Sequence, residues 1–170
     1  MKKLYILIII GVSIFTYLCF NPLIVFIKEE RKSFIIEKEY RKGDTIEVLN
    51  RLNFNEGHWV AYLVINKEDS EDIDNRIPTG KILKTENVTL LKEMKRNWVF
   101  KYTGGDLATV QNQIKIYKNK ELMFSSGIVL DKNFEALQNS DVGYVYPLKK
   151  HNMIKYCMQF ERVFYPFVML

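Results

Sequence analysis

From Leu4 to Ile27 the chain runs 24 residues without a charge, LYILIIIGVSIFTYLCFNPLIVFI. As a helix rising about 1.5 Å per residue the run would extend about 36 Å, enough for the ~30 Å hydrocarbon layer of a bilayer with some tilt. Its Leu, Ile, Val and Phe side chains outweigh Ser13, Thr16 and Asn21, whose polar atoms find backbone partners nearby. Pro22 is expected to kink the helix after Phe20 or to mark the start of its exit. Lys28, Arg31 and Lys32 close the run at headgroup level. The lipid bilayer, met through Leu4 to Ile27, is therefore the first expected partner.

A cleaved secretory signal is the rival reading, because Met1-Lys2-Lys3 forms a short positive start. The apolar run is longer than the usual stretch of roughly 7–15 residues in such signals, and no A-x-A-like pair of small residues closes it. Cys19 follows Thr16-Tyr17-Leu18, without the small residues expected before a lipidated cysteine. Residues 1–32 thus read as an uncleaved, single-pass anchor with charged flanks. Lys2, Lys3 and the amino group favour an inside N-terminus, whereas Lys28, Arg31, Lys32, Lys38, Arg41 and Lys42 pull the other flank inside as well. A Lys-Lys start before a long apolar run behaves as a secretory signal does. The expected location is the cell membrane, with the remainder on the extracytoplasmic side.

Residues 33–170 are near the commonest size for one domain. With 48% hydrophobic and 26% charged residues, the chain can bury a core without disulfides or metals. The net charge of +5 includes Lys2 and Lys3, and the other 23 basic residues face 20 acidic ones, interleaved as in Lys28-Glu29-Glu30-Arg31-Lys32. A nucleic-acid binder presents a one-signed stripe instead, so no nucleic-acid partner is expected. Cys19 and Cys157 leave the domain with one thiol and no internal disulfide, and the apolar surroundings of Cys157 predict a small buried hydrophobe.

Periodicity predicts α+β: one domain with a mostly antiparallel sheet and two flanking helices, behind an N-terminal transmembrane helix. Thr45–Phe54 and His58–Ile65 flank Asn55-Glu56-Gly57, a connection of hairpin length, although Val48, Leu49 and Leu52 also suit a helical face. Lys67–Gly80 reads as a solvated acidic loop. Its Asp72, Asp74 and Arg76 fail the third ligand and the glycine of a calcium-binding loop. Glu86–Arg96 is a helix candidate and Trp98–Tyr102 a strand. Ala108–Tyr117 and Leu122–Leu130 form a hairpin about Lys118-Asn119-Lys120. Asp131–Val142 reads as a polar connection and Gly143–Tyr146 as a short strand. Leu148–Arg162 reads as a helix, and the apolar tail Val163–Leu170 is expected to pack on the body.

Few residues carry an obvious chemistry. His58 and His151 are the only histidines. His151 and Cys157 would lie about 600° apart on a helix and face different sides, so no metal site and no cofactor are predicted. Tyr102-Thr103-Gly104-Gly105-Asp106 is the most unusual string. Its glycine pair lets the backbone turn sharply, but neither G-x-G-x-x-G nor G-x-x-x-x-G-K-[ST] is present. Asp106 and Asp131 would supply paired carboxylates if they met at one sheet end. Asn87-Val88-Thr89 matches a glycosylation acceptor but falls in a predicted helix. Removing five aromatics in the anchor from 23 leaves 18 in the domain. Trp59, Trp98, Tyr144 and Tyr146 are expected in the core or on a sheet face, and several exposed together would mark a partner surface.

Two functions follow from different classes. The favoured one is a non-enzymatic membrane-anchored module that binds another protein, an envelope inhibitor or immunity-type protein being one form. Its candidate binding residues are Trp59, Tyr102, Gly104, Gly105, Asp106, Asp131 and Tyr144. The alternative is a membrane-tethered enzyme using Asp106 and Asp131, with Tyr102 or His58 assisting. A cleft joining those carboxylates to a histidine would favour the enzyme, and an exposed aromatic patch the binder.

Overall fold

A computed structural model describes residues 2–26, 40–66, 71–103, 110–139 and 142–170. Helix α1 (Lys2–Phe20) is exposed along almost its whole length, and its apolar window is long enough to cross a membrane. Its 19 residues rise about 28 Å. It stops at Phe20 because Pro22 has no N–H to donate and its ring disfavours helical backbone in the preceding residue. Leu23–Val25 then forms strand β1, which pairs in parallel with β11 (Phe167–Met169) at the other end of the chain. Leu23 N donates to Pro166 O at 3.0 Å and Leu170 N to Val25 O at 2.9 Å, extending the pairing. The expectation of one span from Leu4 to Ile27 is thus corrected. Its last apolar residues belong to a strand, and Ile27 lies outside the described residues.

The main sheet has nine described strands: β2 (Thr45–Glu47), β3 (Trp59–Val64), β4 (Ile82–Thr85), β5 (Val99–Tyr102), β6 (Gln113–Lys118), β7 (Glu121–Asp131), β8 (Phe134–Asn139), β9 (Gly143–Pro147) and β10 (Glu161–Arg162). Their order is β10-β4-β3-β6-β7-β8-β9-β5-β2, antiparallel throughout. Helices α2 (Val88–Asn97) and α3 (Asn152–Cys157) complete the α+β fold. One sheet face, the first, packs Leu63, Phe100, Ile114, Ile128, Leu137 and Val145 with Leu91 and Met94 of α2 and Ile154 of α3. Each such side chain contributes about 1.5–3 kcal/mol on burial. On the second face Val64, Ile82 and Tyr117 are covered by the β1/β11 ribbon through Ile24, Val168 and Leu170.

Local chemistry explains several boundaries. Asn87 caps α2, its Oδ1 accepting from Leu90 N at 3.1 Å, so the helix begins at Val88 rather than Glu86. Leu90, Leu91 and Met94 are its buried stripe. The β6–β7 turn places Asn119 at φ 50° and Lys120 at φ 72°, the left-handed pair that a two-residue hairpin turn requires. Asn119 also anchors the turn by accepting from His58 N through Oδ1 at 2.9 Å.

Other sequence expectations need correction. Thr45–Phe54 does not pair with His58–Ile65. Only Thr45–Glu47 is a strand, and it pairs with β5 at the sheet's far edge. Turns between Glu47 and Leu52 bury Leu49 and Leu52, the spacing that also suited a helical face. Asp131–Val142 is not a polar connection, because β7 turns at Lys132-Asn133 into β8. The helix expected over Leu148–Arg162 shrinks to Asn152–Cys157, since Glu161 and Arg162 pair with β4. The tail does pack on the body, with Val168 and Leu170 buried. Ala108 and Thr109, the start of the predicted hairpin arm, lie outside the described residues.

Lys120 holds a backbone conformation that costs most L-residues about 1 kcal/mol. Lys120→Gly is expected to raise stability by about 0.5 kcal/mol, part of that relief being offset by the freer unfolded chain. Chemical denaturation in detergent checks this, and a loss of stability would contradict the turn assignment.

Candidate functional site

Strands β8 and β9 carry an aromatic group on the second face. Leu137 and Val145 pair directly and point into the first-face core, so Tyr144 and Tyr146, one residue to either side, point the other way. Tyr144 and Tyr146 meet edge to face at 4.9 Å between ring centroids. Phe134 lies 5.3 Å from Tyr146 and 6.2 Å from Tyr144, nearly parallel to the latter. Phe134 is 38% and Tyr146 37% exposed, while Tyr144 beneath them is 8% exposed. Burial first, then the neighbouring Tyr146 and Asp131, pushes the Tyr144 hydroxyl up to about 12. At neutral pH that hydroxyl is a proton donor to hydrogen bonds, not a base.

At the Glu135 end of β8 the first face carries a tightly held polar cluster. Glu135 is buried, and its Oε1 accepts from Ile154 N at 2.7 Å. It thereby caps α3, a task that the N-cap residue His151 leaves undone with its own side chain. Glu135 Oε2 is buried without a donor among the described residues. Asp74, expected in a solvated loop, is 4% exposed and clamped by Arg76. Its Oδ1 accepts from Arg76 N at 3.0 Å and Nε at 2.8 Å, and its Oδ2 from Nη2 at 2.9 Å. These bonds from the Arg76 side chain, then from its backbone, lower the Asp74 carboxyl to about 2. Arg76 Nη2 also comes within 3.5 Å of His151 Nδ1. A shallow pocket of about 190 Å³ opens between the two layers, lined by Phe134, Glu135, Tyr146, Lys150 and His151 among others.

Of the residues singled out in the sequence, Asp131 and Tyr144 come together here. Asp131 ends β7, pairs with Phe134 and bridges to Ile73. Tyr102 lies next door on β5 but on the opposite face, its ring 5.9 Å from that of Tyr40. Trp59 sits in the core at 1% exposure, its ring 4.6 Å from Phe54 and its Nε1 donating to Glu56 O at 2.8 Å. It is closed to any partner. Gly104, Gly105 and Asp106 lie outside the described residues. The residue before them, Thr103, donates from Oγ1 to Tyr144 O at 2.8 Å. Sequence reasoning passed over Phe134, because the acid and amides around it read as a loop.

Catalytic arrangements find little support among the described residues. His58 is at the start of β3, its Nε2 3.7 Å from Glu86, about 24 Å across the sheet from β5 and Tyr102. No group of three or more His, Cys, Asp and Glu could hold a metal among the described residues. Burial pushes the Cys157 thiol up, so it stays protonated and unreactive. A second pocket of about 350 Å³ carries Lys92, Lys95 and Arg96 of α2 opposite Glu47. Lys95 is engaged with Leu52 O at 2.7 Å, and cations near a helix C-terminus complement its dipole, which accounts for them structurally.

Because Arg76 lowers the Asp74 carboxyl, the pair's stabilisation is fully present above about pH 4 and is lost as pH falls toward 2. Arg76→Ala is expected to lower the thermal midpoint by several degrees at pH 7, and the deficit to shrink between pH 4 and 2. Melts followed by circular dichroism check this, and a deficit constant with pH would contradict it. Comparison of the chain with protein-family models, curated proteins and solved structures returns no match.

Proposed function

We propose that this chain is a membrane-anchored, non-enzymatic module that binds another protein through Phe134, Tyr144 and Tyr146. The observation that carries the reading is the exposure of Phe134 and Tyr146 side by side on a buried Tyr144. Paired strands hold the three rings, so a partner meets them already ordered and little side-chain entropy is lost on contact. Aromatic rings of this kind dominate binding energy at protein interfaces. Asp131 at the rim adds a polar group at its margin. Helix α1 is the membrane anchor in this reading, and the short Lys2-Lys3 start favours an extracytoplasmic domain. An envelope inhibitor or immunity-type protein is the specific form that fits a small domain of this kind.

A photo-crosslinking amino acid at Tyr146 in the full chain, in native membranes, tests the reading. The expected result is one discrete protein adduct that is at least tenfold weaker with Phe134→Ser, and none from the same probe at Glu93, exposed on α2 over the first face. No adduct at Tyr146, or equal adducts at both positions, would overturn it.

A further inference from the structure

The β1/β11 ribbon is apolar on both sides. Its inner residues Ile24 and Val168 pack on the sheet, as a covering strand pair should. Its outer residues are Leu23, Val25, Phe167 and Met169, at 48%, 49%, 59% and 70% exposure. A water-facing side of a strand pair ordinarily alternates to polar residues. Here all four are apolar, and Phe20, Phe26, Phe164 and Tyr165 beside them are exposed too.

We infer that this outer side is a lipid-contact surface that rests in the interfacial layer of the bilayer. The inference rests on the anchored reading of α1 given above. Only Asn21 and Pro22 separate α1 from β1, a reach of at most about 10 Å, so the ribbon cannot stand far from the end of the helix. The join is held on both sides: Arg162 Nη2 donates to Phe20 O at 2.8 Å and Lys81 Nζ to Pro22 O at 3.2 Å.

Cations and rings alternate along this margin. The Arg162 guanidinium lies 5.1 Å from the Phe20 ring centroid and 5.3 Å from that of Phe164. Lys115 Nζ lies 4.8 Å from the Phe26 centroid, and Lys84 Nζ 6.0 Å from that of Tyr165. Tyr165 has the amphipathic ring typical of a headgroup layer, the three phenylalanines add apolar surface beside it, and the Lys and Arg there would meet phosphates. Depth is limited by the backbone. A two-stranded ribbon leaves its outer edges to be hydrogen-bonded by water, which the hydrocarbon core does not supply. The surface therefore lies on the bilayer, not within it, and gives the domain a second contact beside its helix.

Single cysteines in a Cys19→Ser full-length chain, labelled with an environment-sensitive fluorophore, test this in phosphatidylcholine–phosphatidylglycerol vesicles carrying spin-labelled lipid with the label either shallow or deep, the ribbon labels being read with the shallow one. Cys157 is fully buried and stays unlabelled in the folded chain. Labels replacing Phe167 and Met169 are expected to be quenched at least twofold more than one replacing Lys132. Quenching at both no greater than at Lys132, with strong deep quenching of a label replacing Ile10, would overturn the inference and leave the anchor standing. A blue-shifted but unquenched label at both would also overturn it, since protein would then cover the ribbon. An Ile10 label unquenched at every depth would overturn the anchored reading itself, and the inference with it.

Discussion

The structure depends on what the backbone does where α1 ends. Pro22 makes continued helix unfavourable, and the next apolar residues still carry backbone groups that need partners. They find them in Phe167–Met169, so the first and last described strands of the chain close on one another. Arg162 satisfies the Phe20 carbonyl, one of those a helix C-terminus leaves open. Gly80 makes room for it: a Cβ there would sit 3.0 Å from Arg162 Cγ. Helix α1 is therefore joined to the domain by strand pairing and side-chain bonds, not by a free tether.

That joint gives the second face of the sheet its division of labour. The ribbon covers it over β4, β3 and β6, where Ile82, Val64 and Tyr117 need an apolar lid. The aromatic group stands on β8 and β9. From β6, the last strand under the ribbon, to β8 is two strand spacings, about 10 Å, so the proposed binding surface is displaced from the proposed lipid contact along the sheet. Between them, on β7, Val110 closes over Gly127, where a Cβ would lie 3.1 Å from the Val110 Cβ. The face is thus lidded, closed over by Val110 and then open.

Much of this was legible where local pattern and tertiary need agree. The apolar run, the α2 stripe, the β6–β7 hairpin and the Gly143–Pro147 strand all announce themselves by period or turn chemistry. The rest failed for particular reasons. Glu135 makes β8 look like a loop, yet it is buried because α3 needs a carboxylate at its start. Asp74 looks solvated until Arg76, two residues on, is seen to clamp it. Glu161 and Arg162 continue a helical pattern but are taken by β4 and by the Phe20 carbonyl. Asn87 in the glycosylation-like triplet has its side chain committed to Leu90 N as a cap. The ribbon was hidden most deeply, because a three-residue strand whose partner lies at the opposite end of the chain leaves no local signal. The aromatic group was half visible: Tyr144 was a candidate, but Phe134 reaches it only through a strand that the sequence concealed.

The central claim is the closure of β1 on β11, and directed disulfide formation tests it most directly. Leu23 and Phe167 are register partners with outward side chains, at a strand spacing within the range a disulfide spans. In the full chain with Cys19→Ser, in membranes, Leu23→Cys with Phe167→Cys is expected to form an intramolecular disulfide rapidly on mild oxidation, seen as a faster-migrating monomer on non-reducing gels. Bond formation no faster than for Leu23→Cys with Lys132→Cys would contradict the account.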